Sequence, residues 1–122
     1  MSKPKRFVKK PWGHEEIWAQ TDKYVGKFLV IEPGEMLSRQ YHKVKEETIY
    51  VLEGKLRAEI GDPNTGGVTI AILGPGKTVH ITPMLVHRFC ADKDRVKLVE
   101  VSTPELDDVV RLEDKYVRGK GK

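Results

Sequence analysis

The chain has one cysteine, Cys90, among its 122 residues. An internal disulfide framework is therefore excluded, and a reducing cytoplasm is the compartment that fits. No apolar run approaches the ~20 residues that a membrane-spanning helix needs. The basic opening from Met1 to Lys10 lacks the apolar core of a secretory signal. No long segment keeps a 3.6-residue apolar period, which argues against a parallel sheet with crossover helices. Repeats at solenoid periods are absent. Zinc-finger spacing and an aromatic ladder among the basic residues are missing too, so neither nucleic acid nor a membrane is expected as a partner.

Hydrophobic residues make up 39% and charged residues 33%, the balance of a soluble globular chain with a densely charged surface. The length suits one domain spanning residues 1–122, with a core from about 10 to 118. The net charge of +4 gathers in Lys3-Pro4-Lys5-Arg6, Lys9-Lys10 and Arg118-Gly119-Lys120-Gly121-Lys122. These read as solvated tails, and a modest positive bias also suits a phosphorylated small molecule.

Short β-branched stretches separated by Gly, Pro, Asp and Asn predict strands over Lys27 to Glu32, Thr48 to Leu52, Leu56 to Ile60, Val68 to Leu73, Thr78 to Ile81 and Val96 to Val101. Their spacing predicts an all-β sandwich or barrel. Gly61 to Gly67 reads as a hairpin loop, and Gly74-Pro75-Gly76 as another. The segment Leu106 to Tyr116 is compatible with either helix or extended chain.

Gln40, His42 and Glu47 fall within eight positions, and His87 follows forty residues later. In a strand, Gln40 and His42 project to one face, and Glu47, Ile49 and Val51 share another. If the two strands pair, amide, imidazole and carboxylate meet in one cavity. This donor set suits a borderline or hard divalent ion, and the lack of thiolates argues against a structural zinc cage.

These residues resemble the cupins, whose two motifs form facing strands of a small antiparallel barrel. The first motif is matched by Gly34, Gln40, His42, Glu47 and Gly54 at full spacing, with Gln in place of the first His. The second is matched at Gly76 and His87, while Thr82 and Met84 occupy the places of its Pro and Gly. The Gln is shared with phosphomannose isomerases of the cupin type. Further similarities to them are Lys10-Pro11-Trp12-Gly13 with Glu16, Pro33-Gly34, Leu37-Ser38, Val86-His87-Arg88, Leu98 to Val101, and the run from Asp107 to Arg118. Two departures stand out: Val44 in a run that is His-rich in relatives, and Val117 where they carry Gly.

The resemblance implies a cupin barrel, that is, a jelly-roll or double-stranded β-helix. It also implies a divalent metal on Gln40, His42, Glu47 and His87, zinc first, with manganese, cobalt, nickel or iron as alternatives. The implied activity interconverts mannose 6-phosphate and fructose 6-phosphate. Glu100, Lys27 and Arg111 are then the candidate catalytic residues, with Glu46 another candidate base. Arg88, Arg111 and Lys27 are the candidate contacts to the sugar phosphate. A guanylyltransferase domain often precedes this isomerase domain in the family, and without it a stand-alone cupin is expected; the sheet edges that such barrels leave imply a homodimer. A non-catalytic sugar- or nucleotide-sugar-binding cupin is the main alternative, and another metal-dependent cupin enzyme is the next. Outside the site, His14 and His80 read as ordinary surface histidines. Trp12 and Trp18 read as core or dimer packing, and Cys90 as a small buried hydrophobe.

Overall fold

The computed structural model describes residues 6–116. Lys3 to Lys5, Arg118 to Lys122 and the expectation placed on Val117 lie outside that range, whereas Arg6, Lys9 and Lys10, read as part of a solvated tail, fall in the first strand. Eleven strands and no helix occupy the described residues: β1 Arg6–Lys10, β2 Gly13–Gln20, β3 Val25–Ile31, β4 Arg39–Tyr41, β5 Glu47–Glu53, β6 Leu56–Gly61, β7 Val68–Leu73, β8 Thr78–Ile81, β9 His87–Ala91, β10 Val96–Ser102 and β11 Val110–Glu113. They form two antiparallel sheets, ordered β1-β2-β3-β10-β5-β8 and β11-β4-β9-β6-β7. The inner faces meet in a jelly-roll barrel.

Alternation sets the inner face. Glu47, Ile49 and Val51 of β5 point inward with Val96, Leu98 and Glu100 of β10, all buried. Leu56 and Ala58 of β6 and Phe89 and Ala91 of β9 meet them from the other sheet in one apolar cluster. Each large aliphatic or aromatic side chain buried there stabilises the fold by about 1.5–3 kcal/mol.

The six predicted strands are present. The structure adds β1, β2, β4, β9 and β11, and β11 settles part of the 106–116 segment as extended. These strands are short or carry inward-facing charge, which erases the apolar alternation a strand normally displays. Residues 61–67 form the β6–β7 hairpin loop, closed by Asp62 N–H on the Gly67 carbonyl at 2.9 Å. Gly74 to Gly76 does not close a hairpin. It carries the chain from β7 at the edge of one sheet to β8 at the edge of the other, and Gly76 N–H donates to the Val51 carbonyl at 2.8 Å.

Two backbone positions account for motif residues. Gly13 has φ 154°, and a Cβ there would lie 1.9 Å from the Val30 carbonyl oxygen. Only glycine lets β2 pair with β3 at that point. Met84 stands where the second motif has glycine and keeps the left-handed backbone, with φ 71°. Its N–H donates to the His42 carbonyl at 2.6 Å.

Candidate metal centre

His42 follows β4, and Glu47 and His87 open β5 and β9. Strands β4 and β5 belong to different sheets, so the predicted pairing of these two strands does not occur. The residues meet because the sheets face each other across the barrel. One donor atom from each of His42, Glu47 and His87 lies within 4.8 Å of the others, and all three residues are buried. Gln40 is the Cα partner of His87 across β4–β9 and of Arg111 across β4–β11.

Hydrogen bonding orients both imidazoles. His42 Nδ1 is 2.6 Å from the Asp108 carbonyl oxygen, and His87 Nδ1 is 2.9 Å from that of Leu85. A carbonyl accepts only, so each Nδ1 carries the proton. Burial, ahead of the opposing pull of Glu47, lowers the His87 pKa and keeps that ring neutral. Its Nε2 is then a lone pair, 3.9 Å from Glu47 Oε2. His42 Nε2 lies 2.9 Å from the same oxygen. Although that is ion-pair distance, neither Nε2 has a hydrogen-bond partner.

Lone-pair donors converging on one buried point repel unless a cation or a shared proton sits among them. These residues therefore fit a divalent ion, and the Nδ1–carbonyl bonds hold each ring with its Nε2 lone pair turned to the site, as such ligands need. Burial pushes the Glu47 carboxyl up, but His42, Lys45 and His87 outweigh it and hold it down to about 2, so the group is a carboxylate. Gln40 Oε1 accepts the Ser38 hydroxyl at 2.8 Å, which leaves one lone pair on its carbonyl.

A cavity of about 230 Å³ opens beside the cluster, lined by Gln40, His42, Lys27, Lys45, Glu15 and Arg111 among others. Side chains of alternating charge run from its lining into the interior. Lys27 Nζ lies 3.3 Å from Glu15 and 3.8 Å from Glu100. Lys45 Nζ lies 3.2 Å from Glu100 and 3.8 Å from Glu47. Burial lowers the Lys45 pKa, but Glu100 and Glu47 outweigh it, so the net shift is upward and the ammonium persists. Burial, with Glu47 adding to it, raises the Glu100 pKa against the pull of both lysines.

Lys27 and Arg111 line the cavity. Arg88 does not line it. In β9, His87 and Phe89 face inward, so Arg88 points outward. Its guanidinium donates to the main-chain carbonyls of Leu37 at 2.9 Å and Glu113 at 3.2 Å. Glu100 faces inward but is 3% exposed and does not line the cavity. Glu46 is directed outward, paired with exposed His80. His14 stacks on Phe7, Trp12 is buried against the core, and Trp18 is partly exposed. Cys90 is fully buried.

Lys45, Glu15 and Asp108 escaped the sequence reading. Running the β5 alternation back two places reaches Lys45, and running it from buried Ile17 reaches Glu15. Asp108 gives no periodic signal. Its carboxylate accepts the N–H groups of Lys43, Val44 and Lys45 at 3.1, 2.7 and 2.9 Å.

A cupin domain model matches residues 27–102, more than half of the chain. The chain belongs to the cupins. It is similar to mannose-1-phosphate guanylyltransferase ManC of Salmonella typhimurium, 33% identical over 119 residues, covering 93% of this chain and 23% of that protein. Mannose-1-phosphate guanylyltransferase of Escherichia coli K12 is 34% identical over 120 residues, with the same coverage. This cupin thus spans about a quarter of the length of the curated relatives it matches. Among solved structures, oxalate decarboxylase from Bacillus subtilis aligns over 92% of this chain and 31% of its own, with a TM-score of 0.78 at 17% identity. That likeness establishes the fold.

Proposed function

We propose that this cupin is a metal-dependent aldose–ketose isomerase that interconverts mannose 6-phosphate and fructose 6-phosphate. The observation that carries the reading is the cluster of His42, Glu47 and His87 beside a cavity lined by Lys27, Lys45 and Arg111. Sugar-phosphate chemistry in the names of the relatives and the Gln-His-Glu-His set support it.

The reaction moves a proton between C1 and C2 through a cis-enediol. Gln40, His42, Glu47 and His87 would hold the divalent ion, zinc or one of manganese, cobalt, nickel and iron. Bound there, it would supply Lewis-acid stabilisation of charge developing on the C1 and C2 oxygens. Arg111 on the wall has the guanidinium geometry for the phosphate. Of the candidate bases, Glu100 does not line the cavity, whereas Glu15 lines it beside Lys27. We assign the proton-carrying role to Glu15.

The burial of Glu100 also favours a second reading, a sugar-phosphate-binding cupin without turnover. Proton NMR of mannose 6-phosphate in heavy water separates the two. The isomerase reading expects fructose 6-phosphate, or deuterium at C2, with metal-loaded protein, and neither with the His42→Ala, His87→Ala double variant. Bound but unchanged sugar across the five metals would leave the binding reading.

A further inference from the structure

Lys27 and Lys45 reach the cavity from different elements and converge on one atom. Lys27 is in β3, where it is the Cα partner of Glu100 in β10. Lys45 comes from the turn before β5, which is the other neighbour of β10. Their ammonium groups lie 3.8 and 3.2 Å from Glu100 Oε2. The lysines are 6% and 5% exposed and Glu100 is 3% exposed. Two buried ammonium groups so close repel each other and would swing toward water without a shared counter-charge. Both lysines line the cavity and Glu100 does not, so a ligand meets the cations while the carboxylate holds them in place.

We propose that Lys27 and Lys45 form a paired cation seat for the oxygen-rich end of the sugar phosphate nearest the metal cluster, with Glu100 as its positioning residue. The inference rests on the isomerase reading for the identity of the sugar phosphate and replaces the role of Glu100 as base. Glu15, 3.3 Å from Lys27, anchors the outer side of the seat. Glu47, 3.8 Å from Lys45, anchors the side facing the metal cluster. Both ammonium groups line the cavity while Glu100 does not, so a ligand with a partial or full negative charge on neighbouring oxygens meets N–H donors first, with Glu100, Glu15 and Glu47 holding the lysines in place. Arg111 keeps the phosphate role assigned above.

Calorimetric titration of mannose 6-phosphate into the zinc-loaded full chain tests the seat without requiring turnover. Lys45→Met and Glu100→Gln should each weaken binding about tenfold or more, the scale of one lost charge-assisted hydrogen bond. The double variant should be no weaker than the worse single one, because both changes dismantle the same seat. Lys45→Arg should recover most of the affinity. Zinc affinity and thermal midpoint, measured alongside, should stay near wild type in Glu100→Gln, which distinguishes positioning from general loss of structure. Unchanged sugar affinity in Glu100→Gln with deuterium exchange at C2 abolished would make Glu100 the base and overturn the proposal. Additive losses in the double variant would overturn it as well. Wild-type protein that binds the sugar without converting it would remove the isomerase reading and leave the seat to be judged on the same variants. Failure of the wild type to bind the sugar would remove both.

Discussion

The main-chain carbonyl of Asp108 accepts the Nδ1–H of His42 at 2.6 Å, so a residue 66 positions later in the chain sets the tautomer of a candidate metal ligand. The Asp108 side chain fixes the same loop by accepting three successive N–H groups. Those bonds hold its carboxyl down to about 2. Asp108→Ala keeps the carbonyl but frees the loop. We expect a ~10–100-fold loss of zinc affinity by competition titration, and unchanged affinity would show that the loop holds itself.

Removing the metal should lower stability. With free zinc a hundredfold above its dissociation constant, binding contributes about 2.7 kcal/mol, or roughly 10 °C in thermal midpoint for a domain this size. A chelator should abolish the difference, and His87→Ala should make the midpoint insensitive to zinc. A midpoint that ignores zinc in the wild type would remove the metal centre.

Met84 holds a left-handed backbone with a side chain that disfavours it. Met84→Gly relieves about 1–2 kcal/mol of that cost but gives back roughly 0.4–1 kcal/mol through the unfolded chain. Urea unfolding should find it neutral to about 1.6 kcal/mol more stable. Met84→Val, β-branched at the same φ, should lose at least about 1 kcal/mol, and equal stabilities for the two variants would refute the strain.

Burial pushes the Cys90 thiol up to about 11, against an ordinary 9.0. A raised folded pKa favours the neutral thiol in the native state. Its stabilising contribution is therefore complete below about pH 9 and is lost as pH rises toward about 11. Wild type should lose more stability than Cys90→Ala between those limits in urea titrations. Parallel curves would contradict the shift. At pH 8 the native thiol should react with iodoacetamide only after unfolding.

Local pattern made most of the barrel legible. Alternating Val, Ile and Leu between turn residues marked β3, β5, β6, β7, β8 and β10, because an inward face must be apolar wherever it meets the core. The strands that build the cavity were harder to read for the converse reason. Glu15 in β2, Gln40 in β4 and Arg111 in β11 face a polar space, so the chain there carries no apolar signature. The motif spacing of Gln40, His42, Glu47 and His87 likewise named candidate ligands before any contact was known.

By itself, then, the sequence determined which residue types were available for a metal and which stretches would be strands. Both follow from short-range spacing along the chain. Only the tertiary structure decided that the ligands meet across two sheets rather than along one, that Arg88 turns outward, and that Glu100 lies beside two lysines. Those outcomes depend on which strands become neighbours. The face of β9 that holds His87 leaves Arg88 on the other, and the pairing of β10 with both β3 and β5 places Glu100 where Lys27 and Lys45 can share it.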